Sequence, residues 1–490
     1  MSNILTGLEP SRLYHYFEEI CKIPRPSKKE EKIAAYLVDF GKKHNLETIV
    51  DKTGNVIIRK PAAKGMENLK SVVLQSHIDM VCEKNSDIVH DFDKDPIQPV
   101  IVGEWIKAKG TTLGADDGIG IAAQLAILES TDIPHGPIEC LFTVDEETGL
   151  TGAFGLDPTI LKSSILLNLD SEDEGEIFIG CAGGMDTVIT LPCVMEKVNS
   201  DYKGFKVKVS GLKGGHSGDD INKGLGNANK ILNRLLWESA NLFGLKVASF
   251  NAGNLRNAIA REGEAIVAVN NAISGEFKDY AKKYNDIIRT EFNITEPDLK
   301  VEVIEDKLPD SVMSADTQNK LLNSLYACPH GVIAMSASIP NFVETSTNLA
   351  SVRTKENSIE ITTSQRSSVE SAKVSVADMV ASVFNLAGGK SVHGEGYPGW
   401  TPNPQSEILE VAKNIYLQLF GAAPKVLAIH AGLECGLIGE KYPHMDMISY
   451  GPTIKGAHSP DERLNIETAK KFWDFTLEIL KNIPKENQAV

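Results

Sequence analysis

The feature that most constrains this chain is a set of His, Asp and Glu residues that directly follow apolar segments. Residues 72–75, 138–144 and 165–169 have the composition of buried strands, and residues 118–128 are apolar on nearly every face, as in a buried helix. Strands that alternate with helices predict an α/β domain with a mostly parallel sheet and helices on both faces. The active site of such a domain lies at the carboxyl ends of its strands. The five candidate segments are Ser76-His77-Ile78-Asp79, Gly114-Ala115-Asp116-Asp117-Gly118, Asp145-Glu146-Glu147-Thr148-Gly149, Asn168-Leu169-Asp170 and Gly456-Ala457-His458-Ser459-Pro460.

The length of the chain favours two domains, because 490 residues exceed what one hydrophobic core usually supports. Clusters of candidate metal-ligating residues occur before residue 184 and appear again from His430 onward. The region between these positions has no such cluster. We therefore predict a discontinuous catalytic domain of residues 1–184 and 390–490, interrupted by an inserted α+β lid of residues 185–389. The number of predicted elements suggests that the lid has two similar halves. Lid helices are predicted over residues 222–240, 277–291, 316–328 and 369–386.

Charge and composition exclude several classes of protein. The net charge of −16 argues against nucleic acid as a partner. No apolar stretch is long enough to span a membrane, and the N-terminal residues lack the basic start and apolar core of a signal peptide. The seven cysteines are an odd number without metal-finger spacing, which is typical of reduced thiols in a cytoplasmic protein.

The five segments together contain the donor groups of a two-metal hydrolase. Two metal ions that lie close together need a shared ligand, usually a carboxylate with one oxygen on each ion. Each ion also needs one His and one carboxylate, and catalysis needs a further carboxylate as base. The chain offers Asp116 as the shared carboxylate, His77 and His458 as imidazoles, Glu147 and Asp170 as metal carboxylates, Glu146 as the base, and Asp79 to hold the second nitrogen of His77.

Each segment taken alone also has a structural explanation. A His-x-Asp pair at a strand end is usually structural, and a Glu-Glu pair is more often a solvated turn. Asp116-Asp117-Gly118 could be the N-cap of a helix, and residues 170–174 could be an acidic loop. Because these explanations would have to hold at several strand ends together, we favour the metal site and expect only Glu172, Asp173 and Glu174 to be solvated charges. No Gly-x-Ser-x-Gly elbow or phosphate-binding loop offers a rival site.

Longer motifs around these residues resemble the two-zinc metallopeptidase family that includes carboxypeptidases, aminoacylases and carnosinases. The resemblance extends over essentially the whole chain and is closest to bacterial dipeptidases of that family that act on aminoacyl-histidine substrates. Its motifs are Gln75-Ser76-His77-Ile78-Asp79-Met80-Val81, Thr112-Leu113-Gly114-Ala115-Asp116-Asp117-Gly118-Ile119-Gly120, Thr143-Val144-Asp145-Glu146-Glu147-Thr148-Gly149, Lys213-Gly214-Gly215-His216-Ser217-Gly218 and His430-Ala431-Gly432-Leu433-Glu434-Cys435-Gly436.

The resemblance implies a role for each site residue. His77 and Asp170 would bind one Zn²⁺, Glu147 and His458 a second, and Asp116 both, with Co²⁺ or Mn²⁺ as substitutes. Glu146 would be the general base, Asp79 would hold His77, and the Asp116–Asp117 peptide bond would be cis. From the lid, His216 would stabilise the oxyanion. Asn257, Arg366 and the Gly432 N–H would bind the substrate, the last two through its free carboxylate.

The sequence therefore predicts a cytoplasmic zinc dipeptidase for a small peptide substrate, Xaa-His, including β-alanyl-histidine. A broad-specificity dipeptidase or an N-acyl-amino-acid deacylase would use the same ligands, so both stay open. A non-catalytic binding protein with this fold would be expected to have lost a ligand or the base, and none is lost. The sequence leaves open whether the chain forms a homodimer. We expect the doubled lid to complete the active site within one chain.

Overall fold

The computed structural model describes residues 4–486, and the chain divides into two compact units. Unit 1 contains the residues up to Gly180, Pro402–Ala428 and the residues from Leu433 onward, whereas unit 2 contains Cys181–Thr401 and Ile429–Gly432. The limits of 185 and 389 that we predicted for the inserted lid stay a prediction.

The N-terminal part of the chain alternates between helices and strands. Its helices are α1 (Ser11–Cys21), α2 (Glu31–Lys43), α3 (Ala115–Glu129), α4 (Glu146–Gly149) and α5 (Thr151–Gly155). Its strands are β1 (Glu47–Val50), β2 (Val56–Lys60), β3 (Val72–His77), β4 (Pro99–Val102), β5 (Trp105–Ala108), β6 (Ile138–Thr143), β7 (Ile165–Asn168) and β8 (Glu176–Cys181).

The middle of the chain is rich in long strands. Its strands are β9 (Gly183–Pro192), β10 (Met195–Lys197), β11 (Tyr202–Ser210), β12 (Lys246–Gly253), β13 (Gly263–Asn270), β14 (Lys300–Asp306), β15 (Ser311–Met313), β16 (Gly331–Met335), β17 (Val343–Thr354), β18 (Ser358–Ser367) and β19 (Lys390–His393). Its helices are α6 (Ala228–Phe243), α7 (Ser274–Glu291), α8 (Ala315–Ala327) and α9 (Glu370–Leu386), with a 3-10 turn at Asn271–Ile273.

The C-terminal part of the chain returns to unit 1 with shorter elements. Its helices are α10 (Glu407–Phe420), α11 (Glu434–Lys441) and α12 (Ile466–Lys481). Its strands are β20 (Lys425–Ile429), β21 (Asp446–Ser449), β22 (Ile454–Lys455) and β23 (Arg463–Asn465).

Unit 1 is built on an eight-stranded sheet in the order β1-β2-β6-β3-β7-β21-β8-β20. The four adjacent strands β6, β3, β7 and β21 run parallel, whereas β1 and β2 extend the sheet in antiparallel fashion. Every residue of β3, β6 and β7 is buried, as in a parallel sheet that helices cover on both faces. The predicted α/β class is therefore confirmed, and β3, β6 and β7 all end at the same edge.

Unit 2 is built on a nine-stranded sheet whose pairings are antiparallel, in the order β14-β11-β13-β12-β17-β18-β9-β19, with β16 also paired to β17. Alternate residues of β11, Phe205, Val207 and Val209, are buried in one core with Leu232 and Leu235 of α6. This alternation follows from the two-residue period of a strand with one buried face.

Helix α6 begins later than predicted. The sequence predicted a helix from residue 222, but α6 starts at Ala228 because Asn227 acts as its N-cap. The Asn227 side chain accepts hydrogen bonds from the backbone N–H groups of Asn229 and Lys230, which fixes the first turn.

Within residues 4–486, no helix is both long enough and apolar enough to cross a membrane. Six of the seven cysteines are buried, and Cys82 is partly exposed.

Candidate metal centre

The predicted metal ligands of unit 1 lie at strand ends and in two loops. His77 is the last residue of β3, and Asp170 follows β7 by two residues. Glu147 lies in α4, just after β6, and Asp116 lies where α3 begins, at a position with a non-helical backbone. His458 lies in the loop between β22 and β23, where its backbone has a positive φ of 63°.

Asp116 lies between the two imidazoles. Its Oδ1 is 3.0 Å from Nε2 of His77, and its Oδ2 is 3.1 Å from Nε2 of His458. His77 Nε2 is also 3.4 Å from Oδ1 of Asp170, and His458 Nε2 is 3.1 Å from Oε2 of Glu147. Two triads result, His77–Asp116–Asp170 and Asp116–Glu147–His458, and in each the donor atoms lie within 4.8 Å of one another.

The peptide bond between Asp116 and Asp117 is cis, as predicted. The two aspartates have different surroundings. Asp116 faces the histidines, whereas Oδ1 of Asp117 accepts a hydrogen bond of 3.1 Å from the N–H of Gly120. The helix-capping explanation of this segment therefore holds for Asp117 and not for Asp116.

Asp79 contacts His77 and also the segment that carries Glu146. Its Oδ1 is 3.3 Å from Nδ1 of His77 and accepts a hydrogen bond of 3.0 Å from the N–H of Glu146. Its Oδ2 accepts hydrogen bonds from the N–H of Glu147 and the hydroxyl of Ser27. Burial would raise the pKa of Asp79, but His77 and these donors lower it to about 2, which keeps it a carboxylate. The role at the Glu146 loop was not foreseen from the sequence.

The buried carboxylates of this cluster are suited to binding a metal cation. Burial raises the pKa of Asp170 to about 7 and that of Glu146 well above its ordinary value. Oε1 of Glu147 is buried and has no hydrogen-bond partner within residues 4–486. Carboxylates and imidazoles crowded in this way are typical ligands of divalent transition metals, so the residues present fit two such ions.

The predicted residues of unit 2 form a second cluster around Arg366. The Nη1 of this mostly buried guanidinium donates a hydrogen bond of 2.9 Å to the Tyr397 hydroxyl, and Nη2 lies 3.5 Å from Nε2 of His216. Nδ1 of His216 is 3.3 Å from Asp219. Gly432 lies against Tyr397. A Cβ added at position 432 would be 2.8 Å from the Tyr397 ring. His216, Arg366 and Gly432 are thus neighbours.

Asn257 joins this cluster only through its backbone. Its carbonyl accepts a hydrogen bond of 2.8 Å from the N–H of Ser217, while its side chain is exposed. Asn257 and His216 both line a cavity of about 830 Å³ on unit 2.

Two of the three acidic residues after Asp170 differ from what the sequence predicted. We expected Glu172, Asp173 and Glu174 to be solvated charges. Asp173 is half-exposed in an ion pair with Lys455, but Glu174 accepts a hydrogen bond from the Tyr416 hydroxyl. Burial and the nearby Asp116 raise the pKa of Glu172 to about 8. Glu172 and Glu174 are therefore partly withdrawn from water, whereas Asp173 stays at the surface.

Sequence reasoning missed four residues that contact the two clusters. Arg25 and Glu462 bind the backbone around Asp116, Glu434 lies buried beneath the strand ends, and Tyr397 contacts Arg366. Glu434 accepts hydrogen bonds of 2.6 Å from both Gln75 and Thr143. Two of the four had a sequence signal, since Glu434 lies within the motif of residues 430–436 and Glu462 follows His458 by four residues, whereas Arg25 and Tyr397 lie outside the motifs.

Comparison with known proteins gives matches over nearly the whole chain. Residues 73–482 match peptidase family M20/M25/M40. The cytosol non-specific dipeptidase of Escherichia coli K12 is 47% identical over 483 residues, which cover 98% of this chain and 99% of that protein. The crystal structure of aminoacylhistidine dipeptidase from Vibrio alginolyticus has a TM-score of 0.94 and 45% identity, with 99% of both chains covered. Aminopeptidase PepT of Bacillus cereus shares the fold at 18% identity, with a TM-score of 0.62 and coverage of 97% and 99%.

Proposed function

Because the chain belongs to peptidase family M20/M25/M40, we propose that it is a metal-dependent dipeptidase that hydrolyses Xaa-His substrates, including β-alanyl-histidine. The observation that carries this proposal is the position of Asp116, which has one carboxylate oxygen near His77 and the other near His458. A carboxylate placed in this way can bind two ions at once, as a two-metal hydrolase requires.

In this proposal, five side chains of unit 1 hold two divalent ions, for which we propose zinc, with Co²⁺ or Mn²⁺ as substitutes. His77 and Asp170 hold one ion, Glu147 and His458 hold the other, and Asp116 holds both. When bound, such ions polarise the scissile carbonyl and make water a better nucleophile. The two triads of donor atoms support this assignment.

Glu146 is the proposed general base and acid. It would take a proton from the attacking water and return it to the leaving amine. Burial raises the pKa of Glu146 well above its ordinary value, which suits a carboxyl that must keep a proton between the two steps. The backbone N–H of Glu146 is bound by Asp79, so its position is tied to the segment that carries His77.

The unit 2 cluster is proposed to bind the substrate. Arg366 and the N–H of Gly432 would bind the free carboxylate of the dipeptide, and Asn257 would contact its backbone. His216 would stabilise the negative charge on the oxygen of the tetrahedral intermediate. The contact of Tyr397 with both Arg366 and Gly432 supports a common role for these two groups.

A second candidate is a broad-specificity dipeptidase, which the name of the Escherichia coli relative favours. Both candidates require a free carboxylate one residue past the scissile bond, so they differ only in the C-terminal side chains that are accepted. The name of that relative also supports a cytoplasmic location for this chain. Formation of a homodimer stays a prediction.

A substrate panel with metal analysis tests the proposal. The purified protein is assayed on β-alanyl-histidine, Ala-His, Ala-Leu and N-acetyl-histidine, before and after removal of metal with a chelator. We expect about two metal ions per chain, cleavage of both histidine dipeptides, and recovery of activity when Zn²⁺ is added back. Preferred cleavage of N-acetyl-histidine, or full activity of a metal-free protein, would contradict the proposal.

A further inference from the structure

The loop that carries Asp116 is held by a buried carboxylate from a distant part of the chain. Oε2 of Glu462 accepts hydrogen bonds of 2.7 and 2.9 Å from the N–H groups of Leu113 and Gly114. Its Oε1 accepts hydrogen bonds from the N–H groups of Ala115, at 2.7 Å, and Asp116, at 3.3 Å. One carboxylate thus binds four consecutive backbone donors.

These donors need a partner because they lie in the turn that leads into α3, where the backbone of Asp116 and Asp117 is not helical. Buried backbone N–H groups outside regular secondary structure need an acceptor from elsewhere, and Gly114 has no side chain to provide one. Glu462 provides the acceptor from a distant part of the chain, with one buried carboxylate bound to four N–H groups of this turn. Glu462 is only 2% exposed, so water does not compete for these donors.

The same loop is held on its carbonyl side by a buried cation. Nη2 of Arg25 donates a hydrogen bond of 2.5 Å to the carbonyl of Gly114. Nη1 of Arg25 donates to the carbonyls of Ile78 and Asp79, which directly follow His77. Arg25 therefore connects the loop of His77 with the loop of Asp116.

The glycines of the segment make room for this guanidinium. A Cβ at Gly114 would lie 2.6 Å from Nη2 of Arg25, and a Cβ at Gly118 would lie 2.8 Å from the same atom. Gly114 also has a positive φ of 69°, which disfavours other residues. The spacing of the two glycines is thus explained by Arg25 as well as by the turn.

Glu462 and Arg25 together connect the three loops that carry His77, Asp116 and His458. Glu462 lies four residues after His458, and its side chain binds the loop of Asp116. The pair adds no donor atom to the triads, and Glu462 adds negative charge to a region already rich in carboxylates. Glu462 therefore does not balance the charge of these carboxylates, and both residues bind backbone groups of the loops, which points to a geometric role.

We infer that Glu462 and Arg25 are positioning residues that set the distances from Asp116 to His77 and His458, and so the affinity of the metal centre. This inference rests on the proposed metal site of unit 1. It assigns the two residues no contact with the substrate.

The test uses the isosteric variant Glu462→Gln, with Glu467→Gln as a control on the exposed face of α12. A Gln side chain can accept from only one pair of N–H groups and turns an NH₂ donor toward the other pair. In the metal-free variant we expect faster amide exchange at Leu113–Asp116. We also expect Zn²⁺ affinity, measured by competition with a chromogenic chelator, to fall about 10–100-fold for at least one ion.

Two further variants separate positioning from general destabilisation. Glu462→Asp keeps both oxygens and should retain more Zn²⁺ affinity than Glu462→Gln. Arg25→Lys keeps the charge but loses the planar guanidinium that donates to both loops, so it should weaken Zn²⁺ binding. This variant tests the inference even if Glu462→Gln does not fold. Co²⁺ absorption spectra of the folded variants should also differ from wild type.

The outcomes distinguish this inference from the proposed function. If wild type binds two ions and the folded variants bind them with unchanged affinity and spectra, Glu462 and Arg25 are only structural and the inference is wrong. If wild type itself binds no divalent ion, the proposed metal site and the inference both fail.

Discussion

The hydroxyl of Tyr397 lies 2.9 Å from Nη1 of Arg366, while the Tyr397 ring contacts Gly432. Tyr397 therefore contacts both groups to which we assign the substrate carboxylate. Burial raises the pKa of Tyr397, so the hydroxyl remains protonated near neutral pH and accepts from Arg366 through its oxygen.

Arg366→Lys should raise the KM for Ala-His about tenfold or more and leave kcat within a small factor, because Lys keeps the charge but loses the planar fork. Tyr397→Phe should raise KM less, because Arg366 keeps its charge but loses a fixed orientation. Steady-state kinetics of both variants measure this, with Tyr326→Phe as a control at an exposed tyrosine. A fall in kcat at unchanged KM would contradict binding of the carboxylate by Arg366.

Dipeptides should be cleaved and longer peptides should not. A carboxylate bound one residue past the scissile bond leaves no position for a third residue. We expect kcat/KM to fall by about two orders of magnitude or more from Ala-His to Ala-His-Ala, and also from Ala-His to its C-terminal amide, since an ionised hydrogen-bond partner is lost. Rapid cleavage of the amide would show that the free carboxylate is not required, and rapid cleavage of the first bond of the tripeptide would show that it need not lie one residue past the scissile bond.

Glu146→Ala should lower kcat about 10²–10⁴-fold and still bind two metal ions, because Glu146 is assigned to proton transfer. Glu147→Ala should lose metal, because Oε2 of Glu147 lies 3.1 Å from His458 in one of the two triads. Metal analysis and kinetics of both variants, side by side, check this division. The reverse pattern would mean that the two roles are exchanged.

Acid should destabilise unit 2 through His330. Nδ1 of His330 accepts a hydrogen bond of 3.3 Å from the N–H of Leu349, which requires the neutral ring. Burial, with a smaller effect of Lys230, lowers the pKa of His330 to about 4, against about 6.5 in the unfolded chain. Because the folded pKa is the lower one, stability is fully present above pH ~6.5 and is lost as the pH falls toward 4.

The size of this effect should be about 1–2 kcal/mol at pH 4, after allowing for partial exposure of His330. Thermal melting between pH 7.5 and 4.5 compares wild type with His330→Asn, whose side-chain oxygen can accept the same hydrogen bond without titrating. We expect the variant to lose less stability on acidification. His444→Asn, at an exposed histidine, is the control and should behave like wild type.

The parts of unit 1 that were best predicted from the sequence are those that depend on residues close together in the chain. β3, β6 and β7 are apolar runs buried on both faces, and the residues at their ends meet because parallel strands finish at one edge. The adjacency of His77 and Asp116 follows from that rule together with the motifs. Nothing local predicts Glu462, whose partners Leu113 and Gly114 lie almost 350 residues earlier in the chain.

In unit 2, strand β17 shows why polar strands escape prediction. Its sequence, Val343–Thr354, is rich in Ser, Thr and Asn and lacks a simple alternation of apolar residues. Most of these polar side chains are nevertheless buried, and several are paired: Thr345 with Ser367, Ser346 with His430, and Asn348 with the backbone of Ala258. Such partners come from other strands and loops, so the composition of β17 alone cannot show that it is buried.

The four residues Ile429–Gly432 belong to unit 2, although the residues on both sides of them belong to unit 1. The N–H of Ala182 binds the carbonyls of Ile429 and Ala431, and His430 binds Ser346. Unit 2 therefore consists of two separate segments of the chain. Deleting Cys181–Thr401, or exchanging it for the corresponding segment of a relative, would separate it from a short stretch that it needs for its own hydrogen bonding. A split-protein experiment would therefore have to supply both segments together.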